Sequence, residues 1–213
     1  MEERRAIYSV LKNGQLTSAS VAGGRHVQAF EMAAASYVGT KYAVAVSSGT
    51  AALQASLHAL NIKRGDEVLM PSFTFVATAN AVVSVGARPV FVDITKDNYT
   101  MDSDDLAKKV TKRTKAIMPV HLYGNVAPVD QIAEVAKKNN LPVIEDSAQS
   151  LGSTLRGRHT GTFFDLGCYS MYPAKVITAG EGGFVVTDNQ DLRDKLLVSE
   201  TTVLVPAGHI HSD

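Results

Sequence analysis

Apolar and polar positions alternate along this chain in a way that divides it into short strands and helices in turn. From Arg25 to Val38 the apolar residues Val27, Phe30, Ala34, Tyr37 and Val38 recur at helical spacing and Gly39 supplies a stop, which predicts a helix packed on a sheet. Tyr42 to Val46 reads as a strand, followed by a helix rich in alanine and leucine through Leu60. Val68 to Met70 is the next strand, and a helix runs from about Val76 to Val85. The same order repeats with the strand Pro89 to Val92, an acid-capped helix over Asp102 to Val110, the strand Lys115 to Val120, and a helix over Pro128 to Asn139 with proline in its first turn. The apolar run Leu141, Val143, Ile144 then leads to Glu145 and Asp146. This rhythm predicts right-handed crossovers and a largely parallel sheet. After Asp146 two short strands near Gly167 to Ser170 and Gly183 to Thr187 follow without a helix between them, so one of them is expected to run antiparallel. Ahead of all this, residues 2 to 12 form a short helix, and the small-residue stretch TSASVAGG is expected to be a mobile leading segment.

Composition changes this picture little. The 213 residues, 45% hydrophobic and 20% charged, suit one α/β domain with a substantial core. Twenty-one basic residues balance 21 acidic ones, so no net field points to nucleic acid or to an anionic membrane surface. A single cysteine, Cys168, excludes an intramolecular disulfide, the amino terminus MEERRAIYSV has no apolar signal core, and no apolar run reaches membrane-spanning length. The cytoplasm is the expected location.

The candidate chemistry gathers at strand ends, where open α/β sheets place their ligands. Ser47, Ser48, Gly49 and Thr50 form a small hydroxylated loop between a strand and a helix, which suits a phosphate, although Ser48 also reads as a simple helix cap. Phe73 and Phe75 lie on the next such loop and offer faces for stacking a flat ring, with core packing a fair alternative for Phe73. His121, Tyr123 and Gly124 follow another strand, where His121 is a candidate general base, a pocket-lining residue or a core hydrogen-bonding group. Asp146 is a buried acid at a strand end, and Ser170 and Lys175 sit on a turn before the glycines Gly180, Gly182 and Gly183. A rigidly held acid and an amine on a tight loop are the parts that Schiff-base chemistry needs. Cys168, within an apolar strand, reads as a buried small hydrophobe, and His209 and His211 read as a solvated tail rather than a metal pair.

Asp-x-x-Gln (Asp146, Gln149), Ser-x-x-x-x-Lys (Ser170, Lys175) and Gly-Glu-Gly-Gly (Gly180 to Gly183) together resemble the pattern of the DegT/DnrJ/EryC1/StrS sugar aminotransferases, from about residue 12 to about residue 197. The resemblance implies the large domain of the pyridoxal-phosphate-dependent transferase fold type I, a three-layer α/β/α arrangement on a mostly parallel, seven-stranded mixed sheet. It implies pyridoxal 5'-phosphate as cofactor, with Ser48, Gly49, Thr50 and Ser170 around its phosphate and Phe75 stacked on its ring. Ala148 would pack on the opposite ring face, Gln149 would lie near the ring hydroxyl, and Asp146 would bond the ring nitrogen. Lys175 would link to the cofactor and shuttle protons, where some relatives carry histidine and act as dehydratases.

The activity implied is transfer of an amino group from an amino acid such as glutamate or glutamine to a keto sugar, commonly nucleotide-linked, by a homodimer whose partner subunit lends an asparagine and an arginine. Family members are nearly twice as long, so residues 1–213 are expected to be the large domain alone, with residues 1–24 a leading segment, residues 198–213 an atypical tail and the small C-terminal domain absent. A catalytically incompetent fragment or regulatory relative that keeps the fold is the alternative reading. Another fold-type-I reaction, such as desulfuration or decarboxylation, is a third.

Overall fold

The computed structural model describes residues 2–14 and 23–203. Most of the expected leading loop, and both His209 and His211, lie outside the described residues. The chain begins with helices α1 (Glu2–Asn13) and α2 (Arg25–Val38), followed by strand β1 (Tyr42–Val46), helix α3 (Gly49–Ala59), β2 (Glu67–Pro71), α4 (Val76–Ser84) and β3 (Arg88–Val92). It continues through α5 (Ser103–Lys109), β4 (Thr114–Ile117), α6 (Val129–Asn139), β5 (Ile144–Asp146), a hairpin of β6 (Thr154–Leu155) and β7 (Arg158–His159), β8 (Leu166–Ser170), β9 (Gly183–Thr187) and α7 (Gln190–Val203).

Local chemistry accounts for the ends of these elements. Gly39 closes α2 in the left-handed conformation (φ 83°), and its N–H donates to the Ala35 carbonyl. Asp102 caps α5 by accepting from the N–H groups of Asp104 and Asp105. Pro128 stands at the cap position of α6 rather than in its first turn, so that helix starts one residue later than expected.

The central sheet carries seven strands in the order β1-β9-β8-β5-β4-β2-β3. It is hydrogen-bonded as a group of four and a group of three that meet through the parallel bridges Ile117–Val143 and Val120–Asp146. The expected strand Lys115 to Val120 is interrupted because Pro119 has no N–H to give to a ladder, which leaves β4 and β5 joined by isolated bonds. Beta-9 is the one antiparallel member, pairing with β1 on one side and β8 on the other.

Alternation along the strands separates two faces. Val44, Val68, Met70, Ala116, Met118, Ile144, Leu166, Cys168 and Val185 face one side, where they pack with residues of α3, α4 and α7 such as Leu53, Leu57, Val82 and Leu196. Leu69, Ile117 and Val143 face the other side, against Leu106 of α5 and Ile132 of α6. Further along that same face Ala43, Tyr169, Phe184 and Val186 meet Ala34, Ala35 and Val38 of α2. The architecture is therefore three layers, α/β/α.

Burial of this kind is worth about 1.5–3 kcal/mol for each large apolar side chain. The stacked rings of Tyr169 and Phe184, 4.5 Å apart and 12° from parallel, add roughly 0.5–1.5 kcal/mol. Helix α2 meets the sheet along the stripe Phe30, Ala34, Ala35 and Val38, with the Phe30 ring edge-on to Phe184 at 5.5 Å. Val27 and Tyr37, expected on the buried face, are exposed, and Tyr37 instead lies 5.2 Å from the His159 ring on the hairpin.

Gly183 opens β9 opposite both Val46 and Ser170, and a Cβ there would lie 2.6 Å from the Ser48 carbonyl and 2.7 Å from that of Tyr169. Its backbone conformation is one that any residue can adopt, so contact alone forbids a side chain. Gly183→Ala is expected to cost about 2–3 kcal/mol, read as a lower urea midpoint with unchanged slope.

Candidate functional site

Since β1, β2, β5 and β8 run parallel, their C-terminal ends share one edge of the sheet, and antiparallel β9 begins there. This edge collects the residues singled out in the sequence. At the end of β1 the chain turns directly into α3, with Ser48 at the cap accepting from the Ala51 N–H at 3.1 Å. The N–H groups of Gly49 and Thr50 precede the first intrahelical bond and so remain available at the positive end of an 11-residue helix. A Cβ on Gly49 would lie 2.7 Å from the Ser170 Cβ and 3.1 Å from its Oγ. The absence of a side chain thus lets the loop after β1 rest against the end of β8, two segments more than 100 residues apart in sequence. Ser48 and Ser170 hydroxyls, together with two free amides, form a corner suited to an anion.

Asp146 ends β5 and is buried at 5% exposure. Its Oδ2 accepts from the Thr78 hydroxyl at 2.8 Å and its Oδ1 from the Ala148 N–H at 3.2 Å. Burial pushes its carboxyl above the ordinary aspartate range, while those two donors and the positive charge of Lys175 pull the other way. Each oxygen has one donor, so the carboxylate keeps lone pairs for another, and a buried acid with that capacity suits a cationic N–H. Thr78 was not foreseen. Its signal in the sequence is a hydroxyl in the largely apolar helix VATANAVV, four residues after Thr74, where a buried face has to give it a partner.

Lys175 lies on the turn after β8, its own N–H donating to the Tyr172 carbonyl at 2.9 Å, and its side chain is half-buried within electrostatic reach of Asp146. Phe75 caps α4 and is 64% exposed, presenting its ring at the same edge. Phe73 is also exposed, with its ring edge-on to Tyr99 at 6.2 Å, so the core alternative does not hold for it. Ala148 is half-buried beside Asp146. The side-chain carbonyl of Gln149 accepts from the Tyr123 N–H at 3.0 Å, which braces the turn Leu122–Gly124, where Tyr123 takes a left-handed conformation (φ 52°).

His121 is a core group. It is fully buried, its Nδ1 accepts from the Ala127 N–H, and its Nε2 is 2.9 Å from Glu145 Oε1. Glu145 also accepts from the N–H groups of Gly161 (2.7 Å) and Phe164 (2.9 Å), so this acid fastens the chain between the hairpin and β8. The two adjacent acids face opposite sides of the strand and do different work. Cys168 is fully buried beside the Ser56 hydroxyl at 3.1 Å, and burial pushes its thiol up, so it behaves as the small hydrophobe expected. Among the described residues no helix is long and apolar enough to cross a membrane.

The profile of the DegT/DnrJ/EryC1/StrS aminotransferase family matches residues 1–205. GDP-perosamine synthase of Caulobacter vibrioides is 46% identical over 173 residues, which is 81% of this chain and 47% of that protein. The crystal structure of an aminotransferase from Psychrobacter cryohalolentis aligns with a TM-score of 0.87 at 38% identity, over 92% of this chain and 49% of the other. NtdA from Bacillus subtilis, solved with the cofactor PMP bound, aligns with a TM-score of 0.81 at 36% identity, over 90% of this chain and 42% of the other. The chain thus spans about half the length of the relatives it matches. With the fold, the motifs and these likenesses in agreement, the chain belongs to the DegT/DnrJ/EryC1/StrS aminotransferase family, whose members are sugar aminotransferases of the kind that use pyridoxal phosphate.

Proposed function

We propose that this chain is the cofactor-binding portion of a pyridoxal-phosphate-dependent aminotransferase that moves an amino group from an amino acid, such as glutamate, to a nucleotide-linked keto sugar. The observation that carries the reading is the convergence of an anion corner, a buried acid with a vacant lone pair and a lysine at one sheet edge. These groups fit the phosphate, the ring nitrogen and the aldehyde carbon of the cofactor in turn. Ser48, Gly49, Thr50 and Ser170 would hold the phosphate, where the close approach of Gly49 to Ser170 leaves no room for a side chain to intrude. Phe75 and Ala148 would flank the ring, and Gln149, whose amide group stays free as a donor, would bond the ring oxygen. When bound, the cofactor supplies an electron sink for deprotonation of the amino donor. Asp146 would bond the ring N–H and keep that proton in place, which requires the acid to be ionised in a site that disfavours its charge. Lys175 Nζ would provide the amine that anchors the cofactor and, once released, carry a proton to and from the reacting carbon.

The relatives' names support the sugar class of the acceptor. A second subunit is the expected source of further site groups, making a homodimer the working form.

Two measurements test this reading. Borohydride reduction of the chain mixed with pyridoxal phosphate should fix one pyridoxyl group on Lys175, seen by mass spectrometry of its peptide, and Lys175→Ala should lose both that label and any amino transfer. Labelling elsewhere with Lys175 untouched would refute the assignment, whereas a label on Lys175 without amino transfer to any keto sugar would favour a relative that binds cofactor but does not catalyse.

The second measurement concerns Asp146. Its folded-state carboxyl titrates above its reference value of 3.8, so folding favours the neutral form, and the penalty for ionisation is absent below pH 3.8 and complete above the folded-state value. Asp146→Asn should therefore raise the thermal midpoint of the cofactor-free chain by about 2–6 °C at pH 7.5. The gain should shrink as pH falls toward 4, and the same variant should bind pyridoxal phosphate at least about tenfold more weakly.

A further inference from the structure

Thr78 is fully buried in the first turn of α4. A threonine in a helix satisfies its hydroxyl either in solvent or on a nearby backbone carbonyl. Here the hydroxyl instead crosses between layers to Asp146 Oδ2 at 2.8 Å, spanning 68 residues of sequence, and its other neighbour is Thr74 Oγ1, also at 2.8 Å. An ionised carboxylate only accepts, so the Thr78 proton points to Asp146, and the Thr74 hydroxyl must then donate to the Thr78 oxygen. The pair forms a short directed chain, Thr74 to Thr78 to Asp146. It ties the acid at the end of β5 to the loop and helix that carry Phe75.

We propose that Thr78, oriented by Thr74, is the positioning residue for Asp146, fixing the plane of its carboxylate and so the bond that this carboxylate makes to a ring nitrogen. The proposal rests on the pyridoxal phosphate reading above and extends it to a residue outside the family motifs Asp-x-x-Gln, Ser-x-x-x-x-Lys and Gly-Glu-Gly-Gly. Four groups act on Asp146: the Thr78 hydroxyl, the Ala148 N–H and, through space, Lys175 and His121. Of these, only the Thr78 hydroxyl is a neutral side-chain donor that can be deleted with little change in shape, since valine replaces hydroxyl with methyl.

The test compares two probes on the whole chain. Pyridoxal phosphate has the ring nitrogen, and its carbocyclic analogue, with CH in place of that nitrogen, has the same phosphate and aldehyde. Thr78→Val should weaken binding of pyridoxal phosphate about tenfold and of the analogue by less than about twofold, while Thr78→Ser, which keeps the hydroxyl, should restore the wild-type ratio between the probes. Thr78→Ala repeats the deletion without the added methyl, should valine pack badly, and circular dichroism monitors folding of each variant. If the wild-type chain binds neither probe, the cofactor reading itself fails. If the wild type binds and the hydroxyl deletions weaken both probes equally, or neither, Thr78 has no role toward the ring nitrogen and this proposal alone falls.

Discussion

Antiparallel β9 is the constraint on which the site depends. Its first residue, Gly183, sits in register with both Val46 and Ser170, so the ends of β1 and β8 are held one strand apart on either side of it. The backbone of Ser48 and the carbonyl of Tyr169 close over the place a side chain would occupy. With that gap closed, Gly49 can lie against Ser170, and hydroxyls from two distant segments meet beside the positive end of α3. The anion corner is therefore a product of sheet order. Had β9 run parallel, the glycine cluster would have emerged at the opposite edge of the sheet, away from Ser48 and Ser170.

The adjacent acids of β5 show how donor supply separates structure from chemistry. Glu145 accepts from His121, Gly161 and Phe164, and these fill the site around a side chain with no exposure to solvent. Asp146, one residue on and facing the other layer, receives only Thr78 and Ala148. Both carboxylates are buried, and a charge in such surroundings is tolerated only when hydrogen bonds replace its water. Glu145, with three donors and no exposure to solvent, gives a ligand no way to reach it. An undersupplied one is a standing cost to the fold unless a positive partner offsets it, which is the property expected of an acid proposed to bond a protonated ring nitrogen.

Much of this was legible because buried strands betray themselves by short apolar runs between turn residues, and helices by their period. The strand and helix order from Tyr42 to Thr187 follows that pattern, as does the switch to an antiparallel strand once the intervening helices stop. What periodicity does not carry is which apolar residues find a partner. Val27 and Tyr37 have helical spacing yet stay exposed because the stripe of α2 that meets the sheet runs through Phe30, Ala34, Ala35 and Val38. Nor does it reveal the break at Pro119, where a missing donor splits the ladder, or the small hairpin β6–β7, which is too short to have a period. Asp146 and Lys175 were read from spacing within one stretch. Thr78 lies 68 residues before Asp146 and becomes its neighbour only through the packing of α4 on the sheet, so the helix pattern shows that its hydroxyl needs a partner but not which one.

The electrostatics of the site run against the stability of the fold, and this conflict is itself informative. A sequence optimised only to fold would place an apolar residue or a fully bonded amide at the end of β5, as it does with Ile144 two positions earlier on the same face. Instead an acid is buried there with its charge disfavoured, two donors are arranged to moderate the penalty, and a lysine is left half-buried within electrostatic reach. Local choices that disagree with the global requirement mark places where something other than folding set the residue. Around this edge the disagreement involves an acid, a base and exposed aromatic rings together, while the opposite acid, Glu145, is fully reconciled with its surroundings. The contrast between two neighbouring carboxylates on one strand separates the candidate site from the scaffold that presents it.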